Sequence, residues 1–308
     1  MKADHDTGVI QDNTLRTLVK AARGPFLVLT PACVFLGLAL VIRHKVDVDW
    51  LLFLLVASGA ILAHIAVNTL NEYQDFRSGL DLITRRTAFS GGSGALPSNP
   101  AMAGSVWSAA ILSVLIMIAI GIALIWKTGL GILPVGILGI VLIIAYTRWI
   151  NKNPYLCLIA PGLGFGLLMV LGTERVLAGG FSNQGLLAAT VPFLLVNNLL
   201  LLNQYPDIDA DKAVGRNHLP IAFGVQASNW VYLFTAILAV SVIVTGSLAG
   251  NFPLLSSVSA IAVLPAFFVF SGAVKLGQHI GKEPKYLAAN VIVAVLTPVL
   301  LGISLLVA

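Results

Sequence analysis

A chain of 308 residues that is 58% hydrophobic and only 10% charged is not a soluble globular protein, in which about a quarter of the residues carry charge. Mean hydropathy is +0.94, and apolar runs near or above 18 residues recur along the whole length, so the composition predicts a polytopic membrane protein. The net charge of +5 lies in short segments between those runs; it sets orientation in a bilayer and offers no basic domain to nucleic acid.

Residues 1–24 read as a cytoplasmic N-terminal segment. MKADHDTGVIQDNTLRTLVK carries three Asp and lacks a basic stretch running directly into an apolar core, so no cleaved signal peptide is expected. Residues 25–308 read as one all-α transmembrane domain with nine spans, at 25–43, 50–73, 104–126, 130–147, 155–173, 184–204, 230–249, 254–275 and 285–307. With the N-terminus in the cytoplasm, fourteen of the eighteen Lys and Arg fall in inside segments, from Lys2 to Lys285; only Arg43, Lys45, Lys127 and Arg175 fall outside. This predicts a multi-pass protein with its N-terminus cytoplasmic; the expected location is a bacterial or archaeal plasma membrane. Cys33 and Cys157 stand alone in apolar segments and form no metal or disulfide framework.

The second and sixth spans end in nearly the same words. LNEYQD (70–75) and LNQYPD (202–207) share Leu, Asn, Tyr and Asp in register, 132 residues apart. Four spans separate them, so both copies face the same side, the cytoplasmic one. The reading is an internal duplication centred on 50–100 and 184–225: two related helical subbundles around a central cavity, each bringing one acidic motif to it.

On a helix, Asn68, Asn71 and Asp75 share a face, and Asp81 follows Gly79, where the helix is expected to open. Asn203, Asp207 and Asp211 share a face by the same spacing, with Asp209 pointing away. Carboxylates and amides clustered at a membrane face need compensation. Oxygen-rich sets without sulfur suit Mg²⁺, which is commonly held by one or two carboxylates plus substrate phosphates. Two such clusters face to face would hold metal ions on a diphosphate through Asn71, Asp75, Asp207 and Asp211. Arg77, Arg85, Arg86, Lys212 and Arg216 are candidates for its outer oxygens. Plain pairing of acids with those bases is the alternative, and it does not explain the duplication.

In these residues the chain resembles the UbiA-type intramembrane prenyltransferases, with a first motif usually written NDxxDxxxD and a second written DxxxD. Asn71, Glu72, Asp75 and Gly79 match the first, with Glu72 in place of Asp and Asp81 two residues beyond the usual last Asp; Asp207 and Asp211 match the second. The N-x-Y-x-D-x-x-x-G-x-D form, the stretch ADKAVGRNHLPIAFG and the helix FGLLMVLGT are similar to the menaquinone branch, which prenylates 1,4-dihydroxy-2-naphthoate. Pro206 stands where that branch commonly has Arg. A Glu common earlier in its fifth helix is missing from Ala160-Pro161-Gly162-Leu163-Gly164. The resemblance implies nine helices, Mg²⁺ as cofactor, a polyprenyl diphosphate and a lipophilic, commonly aromatic acceptor as partners (1,4-dihydroxy-2-naphthoate or a related quinone precursor first, with 4-hydroxybenzoate, homogentisate, a chlorin or a lipid as alternatives), and catalytic roles for Asn71, Asp75, Asp81, Asp207 and Asp211.

Other residues carry weaker expectations. Asn68, Asn203, Tyr73 and Tyr205 stand beside the acids as acceptor contacts; the tyrosines also suit interfacial anchoring. Arg23 and Arg148 could each take an acceptor carboxylate or simply anchor the inside face. RTAFSGGSGALPSNP (86–100) reads as a loop closing over the site rather than a phosphate cradle, since it lacks the GxxxxGK[ST] spacing. Gly162, Gly164 and Gly166 read as helix packing, His64 as a packed histidine, and Glu174 with Arg175 as interface markers. An ion-coupled transporter is the competing class. Against it, the middle of every expected span is free of Asp, Glu, Lys and Arg.

Overall fold

The computed structural model describes residues 7–307; residues 1–6, including Lys2 of the expected N-terminal segment, and residue 308 lie outside the described residues. Every regular element among the described residues is helical. The longer helices, in chain order, are α1 (Thr7–Ala21), α2 (Leu29–Arg43), α3 (Trp50–Arg77), α4 (Ala103–Thr128), α5 (Leu133–Ala145), α6 (Pro154–Ala178), α7 (Asn183–Asn203), α8 (Leu219–Leu248), α9 (Pro265–Leu276) and α10 (Pro284–Val307). Among the described residues, eight helical segments are long and apolar enough to cross a bilayer. The expected span at 130–147 is shorter: its apolar helix runs Leu130–Ala145, about 24 Å at 1.5 Å per residue against a hydrocarbon core of about 30 Å.

Local chemistry sets several boundaries. Asp49 caps α3 by accepting from the N–H groups of Leu51 (2.9 Å) and Leu52 (3.1 Å). Asn153 caps α6 in the same way, with Pro154 in the first turn. α8 begins at Leu219, earlier than the expected span at 230, and kinks at Gly224, whose φ of 81° only glycine adopts without strain. The expected span at 254–275 opens as a 3₁₀ stretch, Leu254–Val263, before Pro265 starts α9. In α6, Pro161 and a π-helical stretch, Leu163–Met169, widen the turn.

α3, α4 and α5 pack as one group. α7, α8, the Leu254–Lys282 segment and α10 pack as another, and α2 and α6 touch both. The larger core lies in the second group, around Leu195, Leu201, Leu202, Leu287 and Leu301. A buried polar network ties it together. Asn198 Nδ2 donates to the Tyr232 carbonyl (2.9 Å), the Tyr232 hydroxyl to Asn290 Oδ1 (2.9 Å), and Asn290 Nδ2 to the Asn198 carbonyl (3.1 Å). Gly162 and Gly166 lie flush against the Phe193 backbone of α7, where a Cβ would collide, so their role is packing, as expected. The outward surface is lined with large apolar side chains such as Leu54, Leu112, Leu115 and Phe234, as a lipid-facing belt requires.

Glu174, expected as an interface marker, has a structural contact that spacing did not show: it is buried and accepts from the Ser182 hydroxyl (2.5 Å) and N–H (3.3 Å), fixing the residue that caps α7. Arg175 donates to the Gly179 carbonyl (2.7 Å) in the same turn.

Candidate active site

A cavity of about 460 Å³ runs between the two helix groups. One end is apolar, walled by α3, α4, α5 and α6; the other carries nearly all the polar lining.

The first motif reaches the polar end by helical phase. α3 continues unbroken to Arg77, so Asn68, Asn71 and Asp75 share the face that lines the cavity. Asn68 donates to the Ala22 carbonyl (2.9 Å). Asn71 donates to Thr147 Oγ1 (3.0 Å) and accepts from Arg23 (3.4 Å). Past Arg77 the chain turns at Gly79, whose φ of 80° suits glycine, and a short helix, Leu80–Ile83, carries Asp81 back to the cavity. Asp81 is buried, and its Oδ2 has no hydrogen-bond partner. Burial, then the nearby charges of Glu72 and Asp75, push its carboxyl up to about 7 against the pull of Arg23 and Arg86.

The second motif is built differently. The continuous face expected for Asn203, Asp207 and Asp211 is interrupted: α7 ends at Asn203, Tyr205–Asp207 forms a 3₁₀ turn with Pro206 in its first turn, and a new helix runs Ile208–Ala213. Pro206 has no N–H to continue the helix. All three side chains still line the cavity, and Asp209 points out to solvent. Asp207 accepts the Gly91 N–H at Oδ2 (2.9 Å); its Oδ1 and the Asn203 Oδ1 are buried without partners.

Arg216 joins the motifs. Its guanidinium bonds Asp75 of the first and Asp211 of the second, the latter at 2.9 Å. Burial disfavours the guanidinium's charge; the two carboxylates outweigh that and hold it protonated. His218 Nε2 meets the other Asp211 oxygen at 2.9 Å, while its Nδ1 is buried without a partner. Two acids from sequence segments 136 residues apart are thereby locked to one cation.

The remaining candidates divide. Arg23 lines the cavity with its Nε buried and unpartnered, and its backbone φ of 53° lies in the left-handed region that few non-glycine residues enter. Arg77, Arg85, Arg86 and Lys212 are exposed and absent from the lining; Arg86 donates instead to the Asp81 carbonyl (2.9 Å). Arg148 is exposed and lies over the Trp149 ring (5.6 Å). Tyr73 packs against Trp107 (4.9 Å), and Tyr205 is fully buried with its hydroxyl on Asn229 (2.8 Å), so neither ring faces the cavity and Tyr205 is no interfacial anchor. His64 is packed as expected, bonded to Thr30 (2.9 Å) and set edge-on to Phe165, and it also borders the cavity. Sequence reasoning missed His218, Asn151 and Gln204, which all line the polar end. His218 stands in the quoted ADKAVGRNHLPIAFG stretch, seven residues after Asp211, and that spacing was the available signal.

This architecture defines an all-helical membrane protein with an acid-lined intramembrane cavity. Residues 29–291 match the UbiA prenyltransferase family, and the chain belongs to that family. It is similar to the 1,4-dihydroxy-2-naphthoate octaprenyltransferase of Bacillus subtilis (strain 168), at 30% identity over 214 residues; the match spans 68% of this chain and 66% of that relative, just under two thirds of its length. The fold is also that of a UbiA homolog from Archaeoglobus fulgidus bound to DMAPP and Mg²⁺ (TM-score 0.67, 16% identity, 94% of this chain and 99% of the other). A UbiA homolog from Aeropyrum pernix K1 in its apo state shares it too (TM-score 0.64, 17% identity, 90% and 96%).

Proposed function

We propose that this protein transfers a prenyl group from a polyprenyl diphosphate to a lipophilic aromatic acceptor of the 1,4-dihydroxy-2-naphthoate kind, with Mg²⁺ as cofactor. The observation that carries the reading is the meeting of both acidic motifs at one end of an apolar cavity. The family assignment and the Bacillus subtilis relative support the reaction class and the acceptor. The full nine-span count takes Leu130–Ala145 as the short crossing, and the split of fourteen Lys and Arg against four supports a cytoplasmic acidic end.

The donor set fits magnesium. Asp81 Oδ2, Asp207 Oδ1 and Asn203 Oδ1 are buried, unpartnered and in the cavity lining, and all are hard oxygens. Asp81 and Asp207 would hold it, and Asn71, Asp75 and Asp211 are the further oxygen donors at the same end of the cavity. When bound, the ion neutralises charge developing on the leaving diphosphate.

The chain's own residues do the rest. Arg216, the one cavity-lining member of the expected diphosphate-binding cations, places its positive charge where the leaving group's negative charge grows. The C1–O bond of the donor breaks and its electron pair leaves with the diphosphate; a π pair of the acceptor ring bonds C1, and the attacked ring carbon sheds its proton to the released diphosphate, or its carboxylate as CO2, so that the bonding pair restores the aromatic ring. The apolar walls keep water from the allylic cation. Arg23 offers an unpaired N–H to an acceptor carboxylate, beside Asn68 and Asn71. The prenyl tail takes the apolar end; the cavity as a whole reaches from Asp75 to Leu55 on α3, about 30 Å at 1.5 Å per residue. The walls there include Gly121 and Gly136, beside which no atom lies within 4 Å of a Cβ position.

The test is a product assay. Membranes bearing the protein receive Mg²⁺, a labelled polyprenyl diphosphate and a panel of aromatic acceptors, with Asp75→Asn membranes as the blank. A prenylated naphthoate absent from the blank is expected. Saturable diphosphate binding with another acceptor prenylated would move the acceptor, and neither binding nor product would overturn the reading.

A further inference from the structure

Between α3 and α4 the chain crosses the cavity mouth as a glycine-rich segment with Gly91, Gly92 and Gly94 at φ of 80°, 74° and 68°. Such a backbone turns N–H groups outward that need acceptors. Glu72 supplies them. Its Oε1 accepts from Ala95 (3.0 Å) and Leu96 (3.2 Å), and its Oε2 from Ser93 (3.2 Å). The carboxylate is 1% exposed and makes no ion pair among the described residues. It does not line the cavity, because one residue's rotation from Asn71 turns it to another side of α3. The pinned segment then meets an acid from each motif. Gly91 N–H bonds Asp207 Oδ2 at 2.9 Å, and Gly92 lies so close to Asp81 Oδ1 that a Cβ would collide with it.

We infer that Glu72 is a positioning residue rather than a metal ligand: it pins residues 93–96, and through Gly91 and Gly92 sets the orientation of Asp207 and Asp81. The inference rests on the proposed reading of the site, yet the anchoring can be tested without it. Three backbone donors shared over two oxygens require the length of Glu. Aspartate, one methylene shorter, cannot reach them, while glutamine keeps both the length and an acceptor oxygen for the Ala95 and Leu96 N–H groups.

Purified Glu72→Gln, Glu72→Asp and Glu72→Ala variants are compared with the native chain in detergent, each checked for a single gel-filtration peak; Glu72→Gln keeps the native shape. The first readout needs no substrate: the rate of tryptic cleavage after the exposed Arg85 and Arg86. Glu72→Gln should stay within about threefold of native, and Glu72→Asp should be cut about tenfold faster, as a local opening predicts. Equal cleavage in all four proteins would overturn the anchoring, whatever reaction the site performs. The second readout is turnover against Mg²⁺ concentration. Positioning predicts that Glu72→Gln outperforms Glu72→Asp, with Mg²⁺ half-saturation unchanged in Glu72→Gln. A metal ligand predicts the reverse order and a raised half-saturation in Glu72→Gln, and that result would overturn the inference.

Discussion

Asp75 stands on an unbroken helix, whereas Asp207, its counterpart 132 residues later, stands in a 3₁₀ turn between two helices. In the first motif, helical phase sorts the side chains. Asn71 and Asp75 face the cavity, Glu72 holds the glycine-rich segment, and Tyr73 packs on Trp107. In the second, Pro206 ends α7 and the chain is re-aimed, so Asp207 and Asp211 reach the cavity from separate elements. The halves also contribute different parts. The segment after the first motif crosses the mouth and bonds Asp207; the segment after the second returns Arg216 to both Asp75 and Asp211. Two nearly identical stretches of sequence thus form unlike halves of one cavity end, each closed by the other's continuation.

That interdependence can be broken from either side. Asp75→Asn and Asp207→Asn should each lower turnover by about 100-fold or more, as removal of a group that stabilises transition-state charge does, with gel-filtration behaviour unchanged. Full activity in either variant would remove that motif from the site. Arg216→Gln should be nearly as damaging to turnover. It should also lower thermal stability, because leaving Asp75 and Asp211 buried without their cation costs roughly 3–5 kcal/mol. A melting curve superimposable on native would show that the bridge is dispensable to the fold.

Smaller effects sharpen the contrast. Gly136→Leu should fill the apolar end and weaken use of long donors by about tenfold relative to a dimethylallyl donor, the scale of a few methylenes' burial; an unchanged ratio would place the tail elsewhere. The two matched tyrosines should differ. Tyr205→Phe strands buried Asn229 and should cost about 1–3 kcal/mol in unfolding. Tyr73→Phe, which keeps the ring contact with Trp107, should stay within about 0.5 kcal/mol. Arg77→Ala and Lys212→Ala, both exposed, should leave turnover within about twofold.

The spans were legible because apolar runs of membrane length are a strong signal, and the short helix at Leu130–Ala145 is where length ran out. The paired acids were legible because carboxylates are scarce in so apolar a chain. Which basic residue serves them was not. Spacing placed Arg77, Arg85, Arg86, Lys212 and Arg216 equally near the motifs, and only the turn after Ala213 decides that Arg216 alone of the five turns inward. Helical periodicity likewise mistook the second motif for one face, since Pro206 interrupts the phase on which that reading depended. His218 and the Glu72 anchor depend on contacts between distant segments, which local spacing does not encode.

The claim that both motifs build one metal-binding site is tested most directly by locating Mn²⁺, as a stand-in for Mg²⁺, from its anomalous scattering in crystals grown with an unreactive prenyl thiodiphosphate. The account predicts metal bound by at least one carboxylate from Asp75 or Asp81 and at least one from Asp207 or Asp211, with the thiodiphosphate between them. Metal held by one motif alone, with Arg216 still bridging Asp75 and Asp211, would contradict it.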